Sequence, residues 1–432
     1  MKLYQDCKKQ FKIFVLIFLG IFLVFPFVFS YAQTARELND KINQKNIDIA
    51  KLEEEIKQYQ IELDGLGKQK NSLNVSLKQL DLTRKKLITD ISITTNKIDK
   101  INLKIRELSL EINNKQERIS NNIDAISLDI RQINEFEQND ILATILSEND
   151  FTEAWNDIDN MITVGNKVRQ VIIELKQIKS DLEDTRKETT DAKNELVRLK
   201  AKLADQKKIV DQNTAEKKKL LAQTKNNETN YQKLLKDRLV KKDAFEKELR
   251  DYESRLQYVL DPSKLPKGGV LSWPLDYIYV TQLFGKTEAG KRLYANGTHN
   301  GVDLRAPIGT PVKALADGMV AGIGDTDIQC PGVSFGRFVL IKYNNGLAST
   351  FGHLSLIKTK AGDEVNRGEV VGYSGNTGYS TGPHLHVSVY ARDAVDLKTL
   401  PSKSCLGKFL TQPISPINAY LDPMYYLPAY NQ

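Results

Sequence analysis

A chain of 432 residues is too long for one ordinary hydrophobic core, and its apolar fraction of 41% is distributed very unevenly along it, so more than one structural unit is expected. The 62 Lys and Arg against 55 Asp and Glu leave a net charge of only +7, spread through Lys-rich and Glu-rich runs. That balance suits anionic envelope polymers or lipid surfaces as partners, and it gives no reason to expect nucleic acid.

Lys2, Lys8, Lys9 and Lys12 precede an apolar run from Ile13, which ends at the small-residue site Ser30-Tyr31-Ala32. Residues 1–32 thus read as a secretory signal cleaved after Ala32. The run is also long enough for an uncleaved membrane anchor, and both readings stand. In either case the basic start directs the remainder out of the cytosol: periplasmic, extracytoplasmic or secreted, within or beyond the cell envelope. Cys7 lies before the apolar run, so Cys330 and Cys405 are the cysteines of the exported part. An oxidising compartment favours a disulfide between them, with two buried thiols as the alternative.

From Thr34 to about Leu260 there is no proline and little glycine. Ile91, Ile98, Ile105, Ile112, Ile119, Ile126 and Ile133 recur every seven residues, the mark of a helix that buries one stripe in a coiled coil. A second seam runs through Leu175, Ile178, Leu182, Thr185, Thr189, Ala192, Leu196, Leu199 and Leu203. The heptad lapses between them, near 140–165, so residues 34–260 are expected to form an antiparallel helical hairpin; a parallel homodimeric coil or one long helix is the rival. Lys115 and Asn122 intrude near the seam and suggest tuning for register or for an outside partner, with ordinary solvated positions as the equal alternative; a membrane-protein partner or self-association through the coil is the expectation.

Pro262, Pro266, Gly268 and Gly269 mark a linker over 261–270. Beyond it, short β-rich runs alternate with Gly and Asn turns, and Asn345-Gly346 between two such runs is a hairpin signal. The expected fold is therefore multidomain: a long α-helical coiled coil followed by a mainly antiparallel β domain at 271–392. A C-terminal extension, 393–432, is expected to pack back on that domain through its tyrosines.

All four histidines fall in the β domain. Strict alternation over His384–Tyr390 reads as a half-buried strand with His384, His386, Ser388 and Tyr390 on one face. In "THNGVDLRAP", His299 and Asp303 stand four apart in an extended segment, where an even offset keeps two side chains on one face. His299, Asp303 and His386 then supply the three N and O ligands of a catalytic zinc with one position left for water, and His353 and His384 remain for proton transfer and charge stabilisation. A purely structural zinc site, usually closed by four protein ligands, fits this set less well. "FGKT" lacks the earlier glycine of a phosphate loop.

"THNGVDLRAPIGTPVKALADGMV", "TFGHLS" and "GYSGNTGYSTGPHLHVSVY" closely resemble, in order and spacing, the LytM/lysostaphin-type zinc metalloendopeptidases, over roughly Leu271 to Tyr390. The resemblance implies Zn2+ on His299, Asp303 and His386, with His353 and His384 as general base and stabiliser of the tetrahedral intermediate, and peptidoglycan cross-links as substrate. Val387-Ser388 stand where the family usually has Phe-Glu after H-L-H, a departure expected to affect groove shape more than competence. Signal, coil and C-terminal domain together resemble the EnvC-type murein hydrolase activators, many of which lack zinc ligands and switch on amidases. Every ligand position is retained here, so an active enzyme is expected, with a catalytically silent activator or scaffold as the alternative. A coil that masks the groove would make the domain from about Gly268 more active than the whole chain.

Overall fold

A computed structural model describes residues 35–67, 72–138, 151–256, 265–286, 298–380, 382–402 and 404–430, with positions 258, 261 and 263 between them. The expected signal or anchor at 1–32, Pro262 of the linker, and residues 139–150 of the expected coil break lie outside the described residues. Among those described, no helix is long and apolar enough to cross a membrane. Four long helices come first: α1 (Ala35–Gly67), α2 (Leu73–Gln138), α3 (Phe151–Thr224) and α4 (Glu228–Glu253).

Contacts divide the chain into two compact units. One holds the start of α1 up to Gln44 together with residues 102–192 of α2 and α3. In it Lys104 pairs with Glu188 at 3.4 Å, and Lys115 reaches the Asp181 carbonyl at 3.1 Å and Thr185 Oγ1 at 2.8 Å. Partners descend on α3 as positions ascend on α2, so the helices run antiparallel. Lys115 is thereby a cross-helix register bond.

The other unit holds Lys45–Ile101 and Lys193–Gln432. Here α1 is also antiparallel to α2, through Lys45–Asp99 at 2.9 Å and Glu53–Lys97 at 3.5 Å. The arm therefore turns more often than the single lapse in the heptad suggests. Gly65 and Gly67 weaken the end of α1. Lys225 and Asn226 adopt left-handed φ of 49° and 53°, and Asn227 caps α4 by accepting from the Thr229 and Asn230 amides. Leu87 and Ile209 of the arm are buried against Ile308 and Tyr373 of the β region, so the proximal arm and the β region share one unit.

The strands, in chain order, are β1 (Val280–Gln282), β2 (Gly285–Lys286), β3 (Thr298–His299), β4 (Val302–Arg305), β5 (Pro311–Lys313), β6 (Gly318–Asp325), β7 (Arg337–Tyr343) and β8 (Leu347–Ile357). They continue with β9 (Glu364–Val365), β10 (Val370–Ser374), β11 (His384–Ala391), β12 (Asp396–Ser402), β13 (Lys408–Ile414) and β14 (Tyr420–Leu421). The main antiparallel sheet has the order β1-β4-β11-β8-β7-β6-β9, with β5, β10 and β14 paired to its members, and β12-β13 form a separate ribbon. The Asn345-Gly346 turn joins β7 to β8, with Gly346 at φ +86°. Val302, Leu304, Phe351, Leu385, Val387 and Val389 are fully buried in one core.

Strand β11 is not half-buried as its alternation suggests. Ser388 and Tyr390, on the face opposite that core, are also fully buried, in Tyr390's case with Val395 and Tyr420. The C-terminal segment supplies this second cover, since β14 pairs with Val389 and Tyr390 of β11. Tyr430 further on meets Trp273 edge to face, with ring centres 5.8 Å apart. Cys330 and Cys405 form a disulfide with Cα atoms 6.1 Å apart, joining the β6–β7 connection to the β12-β13 ribbon.

Candidate functional site

Register on β11 assembles the site. His386 lies opposite Asp303 of β4 on one side and Gly352 of β8 on the other. His299 and Asp303 do not share a strand as the even offset suggests: β3 pairs with β2, β4 with β1 and β11, and a bend at Asn300-Gly301 interrupts the strand between them. Gly301 is required there, because a Cβ would fall 2.5 Å from the Val387 carbonyl oxygen and 2.7 Å from the His386 ring.

His353 enters by a different device. Phe351 and Leu354 both belong to the core cluster although they are three apart, so the two-residue alternation is broken between them. The break is His353 itself, at φ +60°, with β8 shifting register against both β7 and β10 in this stretch. Such a bulge re-aims a side chain that regular pleating would place elsewhere.

Three ligand atoms converge. His386 Nδ1 lies 2.9 Å from Asp303 Oδ1 and 3.1 Å from His299 Nε2, and His299 Nε2 lies 3.2 Å from Asp303 Oδ1. All three residues are buried. His299 Nδ1 donates to the Leu283 carbonyl at 3.1 Å, so its Nε2 carries a lone pair. His386 Nε2 faces Ser388 Oγ at 2.9 Å, which accepts its proton when Nδ1 is the ligand. In that tautomer two imidazole lone pairs and a carboxylate face one another, an arrangement that a cation would resolve. Their separations match the ~3.3 Å expected between tetrahedral ligands of zinc.

Burial would push the Asp303 carboxyl up, but the facing His384 and His299 hold it well below the usual carboxylate range. Burial pushes His386 and His353 down, His353 well below the usual imidazole value. Carboxylate and neutral imidazole are the protonation states that metal ligation and base catalysis require. His353 Nδ1 donates to the Thr377 carbonyl at 2.8 Å, which leaves Nε2 as the basic nitrogen. His384 Nδ1 donates to the Gly382 carbonyl at 2.8 Å, and its Nε2 stands 3.7 Å from Asp303 Oδ1. The rings of His353 and His384 are 4.6 Å apart.

All five residues singled out from the sequence thus meet in one place. Sequence reasoning missed two supports. Ser388, read as an influence on groove shape, instead touches the His386 ring; its place two residues further along the same strand face was the available signal. Thr377 acts through a backbone carbonyl, for which side-chain identity carries no signal.

The cleft has a second wall. Phe245, Leu249 and Glu253 of α4 line the same cavity as His299, His353 and His386. Phe245 is buried with Cys330, Val333 and Leu410, and the Glu248 carboxylate accepts from the Ser404 amide and hydroxyl, both at 3.1 Å. Glu253, 2% exposed, accepts from Tyr420 Oη at 2.7 Å.

Residues 297–397 match the family model described as Peptidase family M23. The chain is 39% identical over 120 residues to the DD-carboxypeptidase/endopeptidase Mpg of Neisseria meningitidis, covering 28% of this chain and 26% of the relative. It is 42% identical over 94 residues to the peptidoglycan DD-endopeptidase ShyA of Vibrio cholerae, covering 22% and 20%. It is 35% identical over 133 residues to the cell division protein DipM of Caulobacter vibrioides, covering 31% and 20%. The chain spans less than a third of the length of these relatives. Behind the long helical region, residues 297–397, which hold the convergent His299, Asp303 and His386, are thus the part of this chain that matches Peptidase family M23.

Proposed function

We propose that this chain is an exported zinc metalloendopeptidase that hydrolyses peptide cross-links of bacterial peptidoglycan in the cell envelope, with α4 restraining access to its cleft. The observation that carries this reading is the convergence of His299, Asp303 and His386 on one point, beside two further histidines whose outer nitrogens are already committed to carbonyls. Zinc held by those three residues would polarise a scissile carbonyl and supply an acidified water.

The chain's own groups do the rest. His353, locked by the Thr377 carbonyl, presents Nε2 to take a proton from the attacking water. His384, oriented by Gly382, holds an N–H at Nε2 towards the developing oxyanion when its ring is protonated. The Neisseria and Vibrio relatives are named as endopeptidases, in agreement with this chemistry.

A second reading, a silent activator or scaffold for cell-wall amidases, draws on the placement of α4 as one wall of the cleft and on the similarity to a cell division protein. Release of soluble muropeptides from purified peptidoglycan separates the two. It is measured on the full chain and on Phe245→Asp, which dislodges α4, with zinc content determined on each sample. The expected result is about one zinc per chain, greater release by Phe245→Asp, and a roughly 10²-fold or larger loss in His384→Ala with zinc retained. Zinc without release from either protein would transfer the assignment to the activator.

A further inference from the structure

We propose that Asp327 is a positioning residue for His353, acting by clamping together the two loops that hold that histidine. Resting on the endopeptidase reading for the role of His353, the proposal identifies what keeps its basic nitrogen aimed. His353 has a left-handed backbone, φ +60°, which regular strand pairing does not supply and which is uncommon for a non-glycine residue.

Two constraints are visible, and each comes from a different loop. The His353 amide donates to the Phe335 carbonyl at 2.7 Å, from the β6–β7 connection. Its Nδ1 donates to the Thr377 carbonyl at 2.8 Å, from the β10–β11 connection. The orientation of the ring therefore depends on how those loops sit against each other.

Asp327 joins them directly. One carboxylate oxygen accepts from the Gly332 amide at 2.6 Å within its own loop, and the other accepts from the Gly378 amide at 2.7 Å, one residue beyond Thr377. The loops meet backbone to backbone at Gly336 and Gly378. A Cβ on Gly336 would fall 2.3 Å from the Gly378 nitrogen, and one on Gly378 would fall 2.2 Å from the Gly336 nitrogen. The Tyr379 amide donates to the Ser334 carbonyl at 2.9 Å, and the Arg337 amide to Thr377 Oγ1 at 3.0 Å. Both Asp327 carboxylate oxygens are taken up by loop amides, Gly332 and Gly378, so the clamp bears on the loops that hold the base.

The chain has only four histidines, so full-length protein labelled with 15N-histidine and loaded with zinc gives four ring systems to follow. His353→Gln assigns the fourth. In the wild type, the His353 Nδ1–H is expected as a protected downfield resonance. Asp327→Ala should remove or shift it while the His299 and His386 signals and the zinc content hold. On muropeptide substrate, kcat should fall by roughly 10²-fold with KM within about twofold, as for a misaligned base. Asp327→Asn keeps one acceptor and the side-chain shape, and should give an intermediate shift and loss. It also decides the matter if the alanine variant does not fold.

A His353 resonance unmoved in the folded variants, or activity lost together with zinc, would overturn the proposal. If the wild type proves inactive but the resonance still responds to Asp327→Asn, the positioning role stands and the endopeptidase reading fails. An active wild type with an unresponsive resonance has the opposite meaning.

Discussion

The helical arm and the β sheet draw on the same apolar residues and bury them to different depths. In the arm the isoleucine seam from Ile91 to Ile133 is only half-buried, Ile130 and Ile173 stand 51% and 57% exposed, and the interior admits Thr185 and Thr189. In the sheet Val302, Leu304, Phe351 and Val387 are at 0%. A two-helix seam covers one stripe of each partner, whereas β11 is covered on both faces. The arm is therefore expected to tolerate substitution better than the sheet, which has to hold ligand atoms within about 0.5 Å.

The contrast is sharpest at Phe351. Phe351→Ala should cost the β region ~3–5 kcal/mol in chemical denaturation, because the closed core cannot collapse around the lost ring. A cost below about 1 kcal/mol would show a core as forgiving as the arm.

Helix α4, where the two regions meet, should respond to pH. Burial pushes the Glu253 carboxyl from 4.5 up to about 7, against hydrogen bonds from Tyr420 and Ser415 and the charge of Arg250. Because the docked helix prefers the protonated acid, its docking is strongest below pH 4.5 and weakens as pH rises through about 7, by roughly 3 kcal/mol in total. Hydrogen exchange of α4 amides, corrected for intrinsic rates, should show the loosening, and Glu253→Gln should flatten it. A wild-type profile already flat would remove this role.

Ser388→Ala probes support for the ligands. Loss of the partner of His386 Nε2 should weaken zinc binding by about 10–100-fold in competition with a chelator, with little change in the unfolding transition of the metal-free protein. Thr189→Val, in the arm, is expected to shift stability by no more than ~0.5 kcal/mol, since its hydroxyl bonds only the Thr185 carbonyl one turn earlier. A loss of several kcal/mol there would mean that the arm is packed as tightly as the sheet.

Much of this was legible in residue order. Heptads reported helices because a buried stripe must repeat at helical spacing, and Asn345-Gly346 reported a hairpin because its turn demands positive φ. His299, Asp303, His353, His384 and His386 could be named as a group because few chemistries use that set. Their assembly was not legible. His299 and Asp303 meet across a bend at Gly301 that separates two strands, and His353 arrives through a bulge that violates strand alternation. Ser388 and Thr377 act by contacts that no local pattern records.

Residue types and periodicities, which are local properties, pointed to a helical arm, a β domain and, with the motif resemblance, a zinc-type donor set. The placement of α4 along the cleft, the second cover on β11 and the loops that aim His353 arise from contacts between residues far apart in the chain. Those depend on register and packing, where one residue of slip moves a side chain to the opposite face, and so they emerged only with the folded molecule.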